Sequence, residues 1–206
     1  MASTGKRSKL GRWEYYISAL GIILTLGVAA AVIYFWESVQ ALSHYGYLGA
    51  FLISLLGGAT ILAPVPMTPV VFALGGVLKP SFAPYLGPVF IGAAAGSGET
   101  LGGLAIYMTG YGGGAALISS NRRRVQAVYS WMLHWIKKRG SLTLFILSAI
   151  LNPFFYPAGL MAGALRFSIW RYIIVCWVGK TIKGMTVAFA GYWGLRGLLR
   201  MLGMPI

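Results

Sequence analysis

Long uncharged runs separated by short basic clusters set the rhythm of the chain. The first run, residues 17–36, is long enough as a helix to cross the roughly 30 Å hydrocarbon core of a bilayer. It ends in Tyr34, Phe35 and Trp36, an aromatic belt and not the small residues of a signal-peptide cleavage site. It is read as a retained transmembrane helix. The second run, Gly46 to Leu78, is interrupted by Pro64, Pro66 and Pro69. Proline removes a helix donor and clashes with the preceding turn. This stretch therefore predicts two short arms folded back as a re-entrant hairpin over about 47–78. Such backbone is tolerated at membrane depth only where protein buries it or water lines it.

The third run, Tyr85 to Gly110, is unbroken and rich in small residues, including Gly92, Gly96, Gly98, Gly102 and Gly103. Small residues let helices approach closely, so this run predicts a span at the protein's centre. Over 119–139 the pattern changes. Val125, Val128, Tyr129, Met132, Trp135 and Ile136 recur at helical spacing with Arg and Lys outside the stripe. That spacing predicts an amphipathic helix on the cytoplasmic membrane face, the alternative being a charged loop that only fixes topology. Residues 141–165 are again apolar and broken, by Asn152, Pro153 and Pro157, which predicts a second hairpin. A last span over about 168–193 follows, and 196–206 is a short tail.

The two broken segments resemble each other. Ile61-Leu62-Ala63-Pro64 matches Ile150-Leu151-Asn152-Pro153, a second proline follows in each, and Gly75-Gly76 corresponds to Ala162-Gly163. One crossing separates them, so the hairpins enter from opposite faces. The fold expected is an all-α integral membrane protein: two oppositely oriented re-entrant helical hairpins plus transmembrane helices, arranged as an inverted repeat. Inverted repeats with broken helices are typical of transporters whose site lies near the midplane.

Composition agrees. The chain is 58% hydrophobic and 10% charged, against about 25% charged in soluble domains. The net charge of +14 lies in clusters between apolar runs: Lys6, Arg7, Lys9 and Arg12; Arg122–Arg124; Lys137–Arg139. That placement anchors spans on the cytoplasmic side, beginning with residues 1–16. Nucleic-acid binding, which needs a continuous basic face, is not expected. His44, His134 and the lone Cys176 are too scattered for a metal site. No cofactor is expected, and no nucleophile–base pair suggests an enzyme. The partners expected are membrane lipids, with self-association into a homo-oligomer left open. The compact length favours a prokaryotic plasma membrane, with the N-terminus cytoplasmic.

Glu99 is one of three acidic residues and the one inside a span. A carboxylate at a helix centre costs about 2.5–3.5 kcal/mol on insertion scales. It either lines a pathway, titrating or meeting a cation, or is a neutral acid bonded to nearby backbone. Lys180 is the candidate partner for Glu99 or for a lipid phosphate. Lys183 reads as a residue that reaches to the interface. Asn152, at the second hairpin's turn, can satisfy freed backbone or a head group. Arg166 and Arg171, at the cytoplasmic mouth, could grip phosphate head groups or simply fix topology. Pro64, Pro66, Pro69, Pro153, Pro157, Gly159 and Gly163 shape the hairpins.

Two stretches resemble the DedA/VTT-domain family, also called SNARE-associated Golgi proteins. One is Gly98-Glu99-Thr100-Leu101-Gly102-Gly103 with Tyr107-Met108-Thr109-Gly110. The other is Asn152-Pro153-Phe154-Phe155-Tyr156-Pro157-Ala158-Gly159, followed by Ala162-Gly163 and Gly179-Lys180. The second is most similar to the vacuole-membrane-protein-like branch, and together they span a membrane domain over about 45–195. The resemblance implies two opposed re-entrant hairpins and movement of phospholipids or lipid-linked carriers between leaflets, proton-coupled in some members. It also places Thr68 and Tyr156 in the pathway. Where many members carry an acid in the first hairpin, this chain has Met67 and Thr68; where they carry paired arginines, it has Asn152 and Tyr156. These departures suit a weakly charged route such as scrambling better than proton-coupled carriage. The expected function is thus scramblase- or flippase-like exchange through a groove between the hairpins. The alternatives are an ion- or proton-coupled transporter of a small solute, or a membrane scaffold without transport.

Overall fold

A computed structural model describes residues 45–60, 65, 67–78, 80, 83–118, 123–151 and 154–201, together with Tyr16, Ala19 and Ile23. The expectation of a first span over 17–36 therefore falls almost wholly outside the described residues, as do Pro64, Pro66, Asn152 and Pro153. Among the described residues the main elements are helical: α1 (Tyr47–Ala59), α2 (Met67–Val77), α3 (Gly87–Ile118), α4 (Arg123–Ala149), α5 (Phe155–Ala164) and α6 (Ile169–Met201). A 3-10 turn, Pro84–Leu86, leads into α3.

Among the described residues, two helices carry segments long and apolar enough to cross a membrane, Gly87–Gly112 in α3 and Ile169–Gly194 in α6, each 26 residues. At 1.5 Å per residue each reaches about 39 Å. The arms α1, α2 and α5 have 13, 11 and 10 residues, or roughly 15–20 Å. Pro69 and Pro157 are each the third residue of their helix. In the first turn a proline costs no hydrogen bond, because those N–H groups have no partner within the helix.

Packing directions follow from paired contacts. α1 and α2 are antiparallel: Gly46 lies against Leu78 and Gly57 against Met67. α3 and α6 are also antiparallel, with Gly92 against Met185 and Gly96 against Thr181. α1 runs parallel to α3, since Gly98 meets Phe51 and Gly102 meets Leu55. The second part of α4 runs parallel to α6, since Gly140 meets Phe167 while Ser148 meets Gly179.

The short helices then cross over. On α2 and α6, Gly75 packs on the backbone of Ala188 and Gly191 on that of Phe72. On α5 and α3, Gly163 packs on the backbone of Tyr107 and Gly110 on that of Leu160. The two contacts are reciprocal. One offset in sequence relates Phe72 to Leu160 and Gly75 to Gly163, and another relates Tyr107 to Ala188 and Gly110 to Gly191. Backbone approaches this close leave no room for a Cβ.

Two differences from the sequence reading stand out, in the segment expected over 119–139 and in the tail. That segment is helical from Arg123 to a break at Arg139 (φ −146°, ψ 55°), beyond which a second helical stretch runs to Ala149. Before the break, Met132 and Ile136 are buried against Ala158, Met161, Tyr172 and Cys176, not spread on a membrane surface. Their small and apolar neighbours on α5 offer a protein surface that the local pattern could not reveal. The expected tail from 196 begins inside α6.

One face of α6 stays uncovered. Trp170, Ile174, Trp177, Ile182 and Trp193 are exposed at roughly helical spacing. Leu142 and Ile146 of α4, and Ile150 just past its end, are exposed in the same way. Contiguous apolar surface of this kind marks a membrane or partner face.

Because Gly98 and Gly102 seat α1 directly on α3, Gly98→Leu and Gly102→Leu should each destabilise the fold by about 1–3 kcal/mol or more, as overpacking does. The check is the thermal midpoint and monodispersity of the detergent-solubilised protein. An unchanged midpoint would mean that the helices are not in backbone contact.

Candidate functional site

Glu99 stands near the midpoint of the apolar segment of α3. It is buried, 6% exposed, because Gly58 of α1 lies on its backbone and α6 covers its side chain. Lys183 Nζ donates to Glu99 Oε1 at 2.7 Å. Lys180 Nζ donates to the Glu99 carbonyl oxygen at 2.9 Å and stands 3.6 Å from the same Oε1. The two lysines lie three residues apart, on one face of α6.

They are not equivalent. Lys180 is 1% exposed and fixed on three sides: by the Glu99 carbonyl, by Oε1, and by the Phe155 ring centroid 4.0 Å from its ammonium. Lys183 holds its carboxylate oxygen at the edge of an open space. That space is a cavity of about 340 Å³ lined by Met67, Glu99, Leu147, Leu151, Tyr156 and Lys183, among others. A narrower recess beside it adds Ser54 and Thr68. Glu99 and Lys183 line the cavity, and Lys180 is buried behind them.

Four helix ends border this space. α1 and α4 end near it, and α2 and α5 begin near it. A helix end buried away from water must find partners for its last carbonyls. α1 does so twice. Thr60 Oγ1 donates back to the Leu56 carbonyl at 3.1 Å, and the Tyr156 hydroxyl donates to the Gly57 carbonyl at 2.9 Å. The second bond joins the start of α5 to the end of α1, across the site. Tyr172, fully buried on α6, donates to the Gly103 carbonyl at 3.2 Å and fixes α6 to α3 one turn beyond Glu99. The same hydroxyl lies beside Gly159, where a Cβ would crowd it.

The residues singled out in the sequence distribute as follows. Glu99, Lys180, Tyr156 and Thr68 gather at the cavity or against it. Asn152 lies outside the described residues. Arg166 and Arg171 stand apart from the cluster, in and just after the α5–α6 turn. Of the two, Arg166 lines a second cavity while Arg171 is exposed on α6. Lys183 was read as an interfacial residue, and here it is the closer partner of Glu99. Its spacing from Lys180 is the signal that points to it. Among the described residues no group of three His, Cys, Asp or Glu could hold a metal ion.

No protein-family model matches the chain, and no solved structure matches it. Vacuole membrane protein KMS2 of Arabidopsis thaliana is 32% identical over 60 residues, a stretch that is 29% of this chain and 14% of that protein. The chain thus matches a small part of that relative's length. The likeness links it to a membrane protein.

Lys180→Met should destabilise the protein more than Lys183→Met. Removing Lys180 takes away the fully buried donor beside Glu99 and leaves the carboxylate with Lys183 alone, a loss of about 1.5–3 kcal/mol for a charge-assisted contact. Lys183 borders the cavity, where water can take its place. Chemical or thermal unfolding of both variants in one detergent gives the ranking, and the reverse order would show that Lys183 is the structural cation.

Proposed function

We propose that the protein spans a membrane and moves phospholipids between its leaflets, head groups passing the Glu99–Lys183 pair between two opposed re-entrant hairpins. The observation that carries this is the position of that pair. It lies near the middle of both long apolar segments, at a cavity where α1, α2, α4 and α5 all stop or start. Arms of roughly 15–20 Å reach such a point from either face and cannot cross.

The reciprocal glycine contacts support an inverted repeat. In that arrangement α1, α2 and α3 correspond to the second part of α4, α5 and α6. The register set by Tyr107 with Ala188 and Gly110 with Gly191 makes Gly98-Glu99 equivalent to Gly179-Lys180. The acid and its buried base then occupy matching places in the two halves. The likeness to a vacuole membrane protein and the Asn-Pro and Gly-Lys motifs support a place in the DedA/VTT family.

The chemistry suits an amphiphile. The cavity offers the Lys183 amine to a phosphate and the Glu99 carboxylate to a cationic head-group end, within walls of Met67, Leu147 and Leu151. A head group entering the cavity can exchange partners with Glu99 and Lys183 without leaving either charge bare, which low-dielectric surroundings would penalise heavily. Acyl chains stay in the lipid beside the exposed apolar faces of α4 and α6.

Two measurements test this reading. In liposomes carrying fluorescent lipid restricted to one leaflet, the full chain should accelerate exchange. Glu99→Gln and Lys183→Gln should slow it roughly ten- to a hundredfold, as expected for losing one charge-assisted contact of about 1.5–3 kcal/mol. Wild-type protein without exchange activity would leave the scaffold reading, and full activity in Glu99→Gln would remove the acid from the route. Separately, spin labels at Val65 and Leu151, in a Cys176→Ser background, should report a common depth near the bilayer centre. Labels at opposite surfaces would rule out hairpins that turn at mid-depth.

A further inference from the structure

A second cavity of about 490 Å³ lies far from the ion cluster, between the later part of α3 and the α5–α6 turn. Tyr107, Met108 and Tyr111 form one wall, and Arg166, Ser168 and Ile169 the other. The Arg166 guanidinium carbon sits 5.5 Å from the Tyr111 ring centroid. The turn itself is rigid. Arg166 N donates to the Gly163 carbonyl and Phe167 N to the Ala162 carbonyl, both at 2.9 Å, and the Tyr107 hydroxyl donates to the Phe167 carbonyl.

Those two backbone bonds make the helix-ending motif whose closing residue takes a left-handed conformation, a place that glycine normally fills. Here it is Arg166, with φ of 53°, the one non-glycine with positive φ among the described residues. A side chain in that region is strained. Glycine would sit there without strain, yet the chain places an arginine there, and that arginine lines the cavity. There the guanidinium is braced on the Tyr111 ring, and Ser168 joins it in a lining that is otherwise aromatic and aliphatic.

We propose that this pocket binds the anionic head group of a membrane phospholipid, the phosphate on Arg166 and Ser168 and an acyl chain leaving along Met108 and Ile169. Guanidinium is the side chain suited to paired contacts with phosphate oxygens. The surroundings favour a lipid over a soluble anion. Ile169 and the neighbouring Trp170 are exposed apolar residues, so the pocket opens onto surface that lipid would cover. Gly140 meets Phe167, which brings the exposed Lys137, Lys138 and Arg139 to the same end of the molecule and adds attraction for an anionic leaflet. This site does not depend on leaflet exchange; a protein that only scaffolds would carry it equally.

The test is native mass spectrometry of the full chain in detergent, titrated with phosphatidylglycerol, with phosphatidylcholine and with inorganic phosphate. Wild type should retain phosphatidylglycerol in preference to phosphatidylcholine. Arg166→Gly should weaken that retention about tenfold while keeping or raising the thermal midpoint, because glycine relieves the turn. Arg171→Gln, on the same basic end but outside the pocket, should leave retention unchanged. Ile169→Trp, which fills the cavity and keeps every charge, should weaken it as Arg166→Gly does, and this holds as a test should the glycine variant fail to fold. An equal loss in Arg171→Gln would reduce the effect to general surface charge and overturn the pocket. Displacement of the lipid by inorganic phosphate at matching concentration would overturn the choice of a lipid as occupant, and unchanged retention in both pocket variants would overturn the site.

Discussion

A carboxylate fixed midway along an apolar helix must be compensated where it stands, and the arrangement around Glu99 follows from that requirement. Two lysines on one face of α6 meet it, one through Oε1 and one chiefly through the backbone carbonyl. For α6 to bring them so near, the antiparallel helices must touch backbone to backbone, which Gly92 and Gly96 permit. For the pair to stay dry on its other side, α1 must lie on α3, which Gly58, Gly98 and Gly102 permit. The small residues of α3 are thus the geometric condition for its one charge. Burying such a cluster contributes little net stability compared with a well-packed apolar alternative, which is why a role in handling charged groups accounts for it better than stability does.

The second constraint comes from helix ends that the rest of the molecule covers. A buried last carbonyl needs a partner. The Tyr156–Gly57 bond meets this need for α1 with a side chain from the opposite half of the molecule. It also ties two of the helix ends that border the central cavity, so the width of that cavity depends in part on this one hydroxyl contact. The site and its bracing are therefore the same few residues.

Much of this was legible in the sequence, for reasons that can be named. Proline clusters mark where helices cannot continue, so the arms now seen as α1, α2 and α5 could be placed within a few residues. A lone acid in an apolar run announces that a cation must be near, and Lys180 was the obvious choice. What local pattern could not supply was distance between elements. Lys183 looked like a residue that could reach an interface because nothing in its own helix says that α3 lies opposite. The stripe of Met132 and Ile136 looked membrane-facing because an apolar face reads alike whether lipid or protein covers it. The left-handed backbone of Arg166 is invisible in composition, since arginine gives no hint of a position that belongs to glycine.

In the inverted repeat proposed above, Glu99 and Lys180 take matching places, and that arrangement carries a consequence for ancestry. Suppose the two halves descend from one shorter chain that paired with an inverted copy of itself. Identical copies would have set acid against acid or base against base at the centre of the membrane, and neither arrangement neutralises itself. Only after the copies were joined in a single polypeptide could each half change its residue independently. Opposite charges across the pseudo-axis are thus something a fused chain can possess and a homodimer of half-length subunits cannot.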